Sequence, residues 1–304
     1  MVSNKLIKHT LTVSLQGGLG NQLFQYAFGR AWSLRNNLQV IFDDYGFQFD
    51  RVFKRSLLLK NFSIPNGIEI NSSRYLFQLA RFLKHFGKIG VWLGKRHQPY
   101  ILIEKNAQFE SKLIQTSILG SSYAFGYWQD EQYFIEYAKT IRKDLCLLKP
   151  FSITNELLKQ EILSTPHSVA IHIRRLHQVS ANQEEQSPHK NGEEDGIILS
   201  ANYYHRAMAY LEKQVPKANY FIFSDYEIWA KKKLIFKNQV KYLQHDESTD
   251  YEDLILMSLC KHHIIANSSF SWWGAWLGES EGQIVIAPKA IKLTPKIPKK
   301  WVTI

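Results

Sequence analysis

His172-Ile173-Arg174-Arg175 closes a run of β-branched and apolar residues, and extended backbone there sets His172 and Arg174 on one face with Ile173 on the other. A guanidinium at a strand end presents a planar fork of donors and stays charged at any working pH, so Arg174 is suited to gripping a diphosphate through two bonds. Further along, Asn267-Ser268-Ser269-Phe270-Ser271 joins a strand-like run to a helical one. Backbone amides and hydroxyls at a helix start make a cradle for an anion, reinforced by the helix dipole. Near the beginning, Gly17-Gly18-Leu19-Gly20-Asn21-Gln22 interrupts a strand and leads into a helix. Gly18 and Gly20 match the first two glycines of a dinucleotide fingerprint, but Leu23 stands at the third, and no Gly-Lys-Ser/Thr follows to make a P-loop. Asn21 and Gln22 instead place amide donors and acceptors where hydroxyls or phosphate would be held. Ser224-Asp225 follows the strand-like run Tyr220 to Phe223.

The elements that must position these groups follow from periodicity. Leu11 to Leu15 reads as a strand, the apolar positions from Asn21 recur at helical spacing until Asn36-Asn37, and Gln39 to Phe42 reads as a second strand. In the second half, strands are expected at Ser168 to Ile173, Tyr220 to Phe223, Val240 to Leu243, His263 to Ala266 and Gln283 to Ile286. Helical patterns fall between most of them, at Tyr203 to Gln214, Trp229 to Phe236, Tyr251 to Cys260 and Ser271 to Leu277. Strict alternation of this kind predicts parallel, doubly wound sheets whose ligands bind beyond the carboxyl ends of the strands, which is where the polar groups collect. Gly274 and Ala275 suggest close packing of the last helix on the sheet, and Trp272, Trp273 and Trp276 read as core. The stretch Phe53 to Lys112 is the least legible. Its section Arg74 to Lys95 reads as a helical face packed on the first domain, with an acceptor-side or membrane-facing basic helix as the alternative. The polar run Ser180 to Gly196 reads as a mobile surface loop. The architecture expected is α/β, with an N-terminal domain over residues 1–150 and a C-terminal Rossmann-like domain over 151–304 facing it across a cleft.

Composition narrows the chemistry. The chain has 304 residues, a net charge of +11 and 13% aromatic residues, so it can bury a sizeable core while its surface favours anions. Its basic residues are scattered without an RNP, KH or helix-turn-helix pattern, which argues against nucleic acid as the partner. Cys146 and Cys260 form no CxxC pair, so neither a zinc motif nor a disulfide framework is expected. No Asp-x-Asp triplet occurs, and a diphosphate would be neutralised by cationic side chains and helix termini with no metal cofactor. The sequence shows no signal-peptide pattern and no membrane-spanning run, so a cytoplasmic protein is expected, in peripheral contact with the inner face of the membrane at most.

Taken in order, these motifs resemble glycosyltransferase family 11, the bacterial and animal α-1,2-fucosyltransferases. The matching pieces run from Gly17 to Ala27, through Phe125-Gly126-Tyr127-Trp128-Gln129-Asp130, His172 to Arg175 and Phe223-Ser224-Asp225, to Cys260-Lys261-His262 and the block Ile264 to Trp273. The resemblance implies a GT-B-like fold, GDP-fucose as donor, inversion at the fucose anomeric carbon and an oligosaccharide or glycolipid acceptor, as in O-antigen biosynthesis. By position it implies that Arg174 binds the diphosphate with His172 beside it, and that Asp225 and Asn267, Ser268, Ser269 and Ser271 line the GDP site. Gly18, Gly20, Asn21 and Gln22 would lie near the fucose or the acceptor. One departure stands out: where the family continues the double arginine with Gly-Asp-Tyr, this chain has Leu176-His177-Gln178. His177 therefore joins Arg174 as a catalytic candidate, because an imidazole can accept a proton but pairs poorly with arginine. A reaction that loses its proton late would need no base there. The competing readings are a transferase for another nucleotide sugar on the same fold and an inactive carbohydrate-binding relative.

Overall fold

The computed structural model describes residues 9–50, 54–65, 69–105, 109–115, 120–175, 198–243, 249–289 and 295–304. The chain divides into two compact units, Met1–Leu148 and Lys149–Ile304.

The first unit runs β1 (Thr10–Ser14), α1 (Leu19–Asn36), β2 (Gln39–Asp43), β3 (Glu69–Asn71), α2 (Arg74–His85), α3 (Gly87–Gly94), β4 (Tyr100–Ile103), α4 (Ser111–Gln115), β5 (Ser122–Phe125) and α5 (Ala138–Asp144). Its strands lie in the order β3-β2-β1-β5-β4, every neighbouring pair parallel. The chain leaves β1 toward one edge and returns on the other side of it, so the sheet reverses direction between β1 and β5. A crevice opens at such a switch, beyond the carboxyl ends of the two strands. Helix α1 starts at Leu19, two residues before the expected Asn21, because Gly17 takes φ +81° and lets the chain turn at once. It ends on Asn37, which adopts the left-handed conformation and donates its N–H to Ser33 O.

The second unit runs α6 (Ile153–Ser164), β6 (Ser168–Ile173), α7 (Ala201–Glu212), β7 (Asn219–Ser224), α8 (Glu227–Lys233), β8 (Val240–Tyr242), α9 (Asp250–Ser258), β9 (His262–Ile264), α10 (Ser269–Leu277), β10 (Val285–Ala287) and β11 (Val302–Thr303). The order is β11-β10-β9-β6-β7-β8, again all parallel, with the reversal between β6 and β9. Parallel strands covered on both faces need continuous apolar runs, and every residue of β6 is buried. Val169, Ile171 and Ile173 pack against Tyr204, Ala207 and Leu211 of α7, while Ala170 joins Phe221, Phe223, Leu256 and Met257 on the other face. Each such aliphatic side chain contributes about 1.5–3 kcal/mol on burial. Gly274 corrects the packing expected of α10: a Cβ there would lie 2.5 Å from Met257 Sδ, so the missing side chain lets α10 approach helix α9 rather than the sheet. The three tryptophans of α10 are core, with Trp272 and Trp276 stacked and Trp273 edge-on to both.

Candidate functional site

In the second unit, the carboxyl ends of β6 and β9 flank the reversal and carry the two most informative motifs. Adjacent tyrosines of α7 fix both ends: Tyr204 Oη donates to His172 O at 3.2 Å and Tyr203 Oη to Ile265 O at 2.7 Å. Burial pushes both phenols far up, so they remain protonated donors. The face alternation of β6 continues past its end. Ile173 enters the core shared with α7, whereas His172, its ring 5.4 Å from that of Phe270, and Arg174 line the opposite side. Arg175 turns back toward α8, its guanidinium 4.4 Å over the Trp229 ring and one nitrogen 3.3 Å from Leu199 O.

Asp225 ties this end together. Its Oδ1 accepts the Arg175 N–H at 2.7 Å and its Oδ2 lies 3.4 Å from Arg174 Nε. A carboxylate partner thus reaches Arg174 from the end of β7. A third of the Arg174 side chain stays exposed with its Nε edge fixed. Around it lies a niche of about 30 Å³ lined by His172, Phe223, Ser224 and Phe270, with Asp250 and Asp253 from the first turn of α9. Those two aspartates carried no motif and escaped the sequence reading. At α10, Ser268 is the N-cap, its Oγ accepting the Phe270 N–H at 3.3 Å. Asn267 and Ser269 are half-buried at the same turn. Ser271 corrects the expectation: it is fully buried and its hydroxyl donates to Ser268 O, so it shapes the turn and does not face a ligand. His177, with Leu176, Gln178 and the run Ser180 to Gly196, lies outside the described residues.

In the first unit, the reversal lies between the glycine loop after β1 and Gly126-Tyr127-Trp128-Gln129 after β5. Two side chains of α1 join these segments. Gln25 receives the Gln16 N–H and donates to Gly126 O, and Asn21 Oδ1 receives Gln129 Nε2 at 2.8 Å. Trp128 holds a left-handed φ of +58°, a strained position for a bulky residue. Glu104 stabilises it by accepting the Tyr127 and Trp128 N–H groups at 2.6 and 2.9 Å, and Phe28 by stacking on the Trp128 indole at 4.1 Å. Burial pushes the Glu104 carboxyl above its ordinary range even against those two donors.

Gln22 is a second correction. It is fully buried, its Nε2 donates to Gly17 O and Ser56 O, and its Oε1 accepts from Leu58 and Leu59. All four bonds of the amide are used on backbone, so Gln22 braces the glycine loop and has none left for a substrate. Gly20 is a third: it lies buried within the first turn of α1. Gly17 and Gly18 are half-buried: a Cβ on Gly17 would meet Asn21 Nδ2 at 2.5 Å, and one on Gly18 would reach 3.6 Å from Arg55 Nε. Gly17 lines a pocket of about 550 Å³. Phe49, Phe77 and Phe125 form an aromatic wall, Arg81 and Lys84 lie over the Phe49 and Phe125 rings, and Arg55 stands 3.9 Å from Asp50. An aromatic wall with a cationic rim suits a sugar ring and its hydroxyls. These residues come from three separate segments, and sequence reasoning missed the pocket.

Among the described residues, no group of three or more His, Cys, Asp or Glu side chains is placed to hold a metal ion, and no helix is long and apolar enough to cross a membrane.

The sequence profile of glycosyl transferase family 11 matches residues 10–300, nearly the whole chain. The chain belongs to glycosyltransferase family 11. This family 11 enzyme is 32% identical over 95% of its length to an α-1,2-colitosyltransferase of Escherichia coli, covering 97% of that protein. It is 29% identical over 90% of its length to the O-antigen biosynthesis glycosyltransferase WbnK of Escherichia coli, covering 92%. The fold is similar to the fucosyltransferase NodZ from Bradyrhizobium, with a TM-score of 0.50 at 13% identity over 88% of this chain and 92% of that one. Against the NodZ α-1,6-fucosyltransferase co-crystallized with GDP, the TM-score is 0.52 at 14% identity, with the same shares covered. The family 11 glycosyltransferase therefore has a GT-B-like fold of two Rossmann-like units.

Proposed function

We propose that this glycosyltransferase transfers L-fucose, with inversion and without a metal ion, from GDP-fucose to a galactose hydroxyl in α-1,2 linkage. The observation that carries the reading is Arg174, aimed by Asp225 past the end of β6 beside the capped N-terminus of α10. In the reaction the acceptor hydroxyl attacks the anomeric carbon as the bond to the β-phosphate oxygen breaks, and the hydroxyl proton is lost late, to water or to the departing phosphate. The electron pair of that bond leaves with GDP, and Arg174 with the amides near Ser268 and Ser269 receives the developing charge. One preorganised donor of this kind typically contributes a factor of roughly 100 to 1000. Asp250 and Asp253, which line the same niche as Arg174, offer carboxylates to the N–H edge of a guanine. The aromatic pocket of the first unit takes the acceptor sugar.

A second reading concerns the donor sugar, because one relative is an α-1,2-colitosyltransferase. Colitose is fucose without its 3-hydroxyl. A site that hydrogen-bonds that hydroxyl rejects the deoxy sugar by about 10⁴ to 10⁵, whereas an apolar surface there discriminates by only about 100. Transfer is measured from GDP-fucose, GDP-colitose, GDP-mannose and UDP-sugars to β-galactosides, in excess EDTA, with linkage analysis of the product. GDP-fucose is expected to lead, with transfer to the 2-hydroxyl surviving chelation. A preference for GDP-colitose would reassign the donor, and activity lost to EDTA and restored by magnesium or manganese would overturn the charge neutralisation.

A further inference from the structure

The hairpin of α2 and α3 carries a charge that nothing in the proposed reaction uses in full. Between Glu69 and Glu104 there is no acidic residue, while Arg74, Arg81, Lys84, Lys88, Lys95 and Arg96 supply more than half of the net charge of +11. The same hairpin exposes large apolar side chains: Tyr75, Phe82, Phe86, Ile89, Trp92 and Leu93 are each between 42% and 65% exposed. They are not a core lacking cover. Phe77, Ala80 and Leu83 already anchor α2 on β4 and β5, and Gly90 brings α3 directly against the Leu83 carbonyl. The helices join at Phe86, whose carbonyl receives the Ile89 and Gly90 N–H groups, with Gly87 turning the chain at φ +52°. Ile89 and Leu93 form an apolar ridge on one face of α3 at helical spacing. The Phe82 ring lies 4.9 Å from that of Phe86, and Arg96 covers the Trp92 ring at 3.7 Å.

We propose that the α2–α3 hairpin docks on an anionic lipid bilayer, its apolar ridge entering the headgroup boundary while its cations meet the lipid phosphates. Tryptophan, tyrosine and phenylalanine set among lysine and arginine match that boundary, where one side of the helix is apolar and the other wet. A second copy of the chain is a poor occupant, since a two-fold contact would press six cations against six with no acid on the hairpin to pair them. Nucleic acid would leave Ile89 and Leu93 with nothing to cover them. Arg81 and Lys84 also rim the aromatic pocket of the first unit, so docking brings that pocket to the headgroup plane, where an acceptor carried on a lipid would present its sugars. The inference stands apart from the choice of donor.

The full-length protein is tested by cosedimentation with phosphatidylcholine vesicles, pure or containing about a third phosphatidylglycerol. Wild type is expected to bind the anionic vesicles at least about tenfold more tightly, with the difference shrinking in high salt. Replacing Lys88, Lys95 and Arg96 together by Gln removes three charges and should cost on the order of a hundredfold. Ile89→Ser with Trp92→Ser should weaken binding even where the charges are intact. All five substituted side chains are exposed and lie outside the pocket, so both variants should keep transfer to a soluble acceptor. Equal binding to neutral and anionic vesicles, or undiminished binding of both variants, would overturn the proposal. So would a wild-type dimer in gel filtration that these substitutions dissolve while vesicle binding is absent.

Discussion

Arg174 takes its direction from a residue that its own neighbourhood in the sequence does not contain. Asp225 holds both the Arg175 N–H and Arg174 Nε from 50 positions away, so the fork is set before any ligand arrives. Arg174→Ala should therefore lower kcat by at least about a hundredfold, and Arg174→Lys should recover little of it, because an ammonium cannot reproduce the planar fork. Asp225→Asn keeps an acceptor for the Arg175 N–H but drops the ion pair, and a loss of roughly tenfold in kcat/KM is expected. Near-normal turnover of Arg174→Ala, with the protein folded by circular dichroism, would move the diphosphate elsewhere. The residue types at the strand ends were legible in the sequence, since a glycine loop, a strand-end arginine and a serine-rich helix start each announce their chemistry. Their partners were not. Gln22 reads as a ligand amide until its backbone partners at Ser56, Leu58 and Leu59 are known, and those are 34 to 37 residues distant.

Elements were legible in proportion to their length and burial. The five strands expected in the second unit all form; β6, β7, β9 and β10 leave apolar runs because they are buried, whereas β8 is a half-exposed edge strand. Strands β3 and β11, of three and two residues and with little or no burial, leave no pattern to read, and β4 and β5 sit among loops that mask them. The section Arg74 to Lys95, expected as a helical face packed on the first domain, is two helices joined at Phe86, of which α2 packs on β4 and β5. Strand β9 also carries a pH dependence. His263 is fully buried, with Nε2 2.9 Å from Met257 O at the end of α9 and Nδ1 receiving Gln283 Nε2 at 3.2 Å. The carbonyl can only accept, so the neutral ring carries its proton on Nε2, and a second proton on Nδ1 would point at the Gln283 amide. Burial accordingly lowers the His263 pKa from 6.5 to about 4. A base depressed on folding gives its full stability above pH 6.5 and loses it as pH falls toward 4, by roughly 2–3 kcal/mol in all. Urea unfolding at pH 7 and pH 4.5 should show this drop, and His263→Gln should flatten it. An equally steep drop in that variant would assign the effect to other groups, His262 first among them.

At the scale of the whole molecule, each unit repeats one plan: a parallel sheet, a reversal beside its central strand, and polar chemistry at the strand ends flanking it. That plan constrains how the protein is made as well as what it does. In the first unit the middle strand β1 is synthesised first, yet its neighbour β5 comes far later, with Thr10 meeting Ser121 across 111 positions. Parallel partners cannot close as a hairpin, so Leu11 and Val13 wait for half of their ladder and for the cover that β5 brings. Translation at about 5–20 residues per second leaves the early chain in that state for several seconds or more, with the apolar face of α1 open to chaperones and proteases. Nascent chains stalled before Ser122 leaves the ribosome should be cut readily within α1, and chains stalled once Leu148 has cleared it should resist. Persistent cutting of the longer chains would mean that the first unit does not hold its fold until the second has been made.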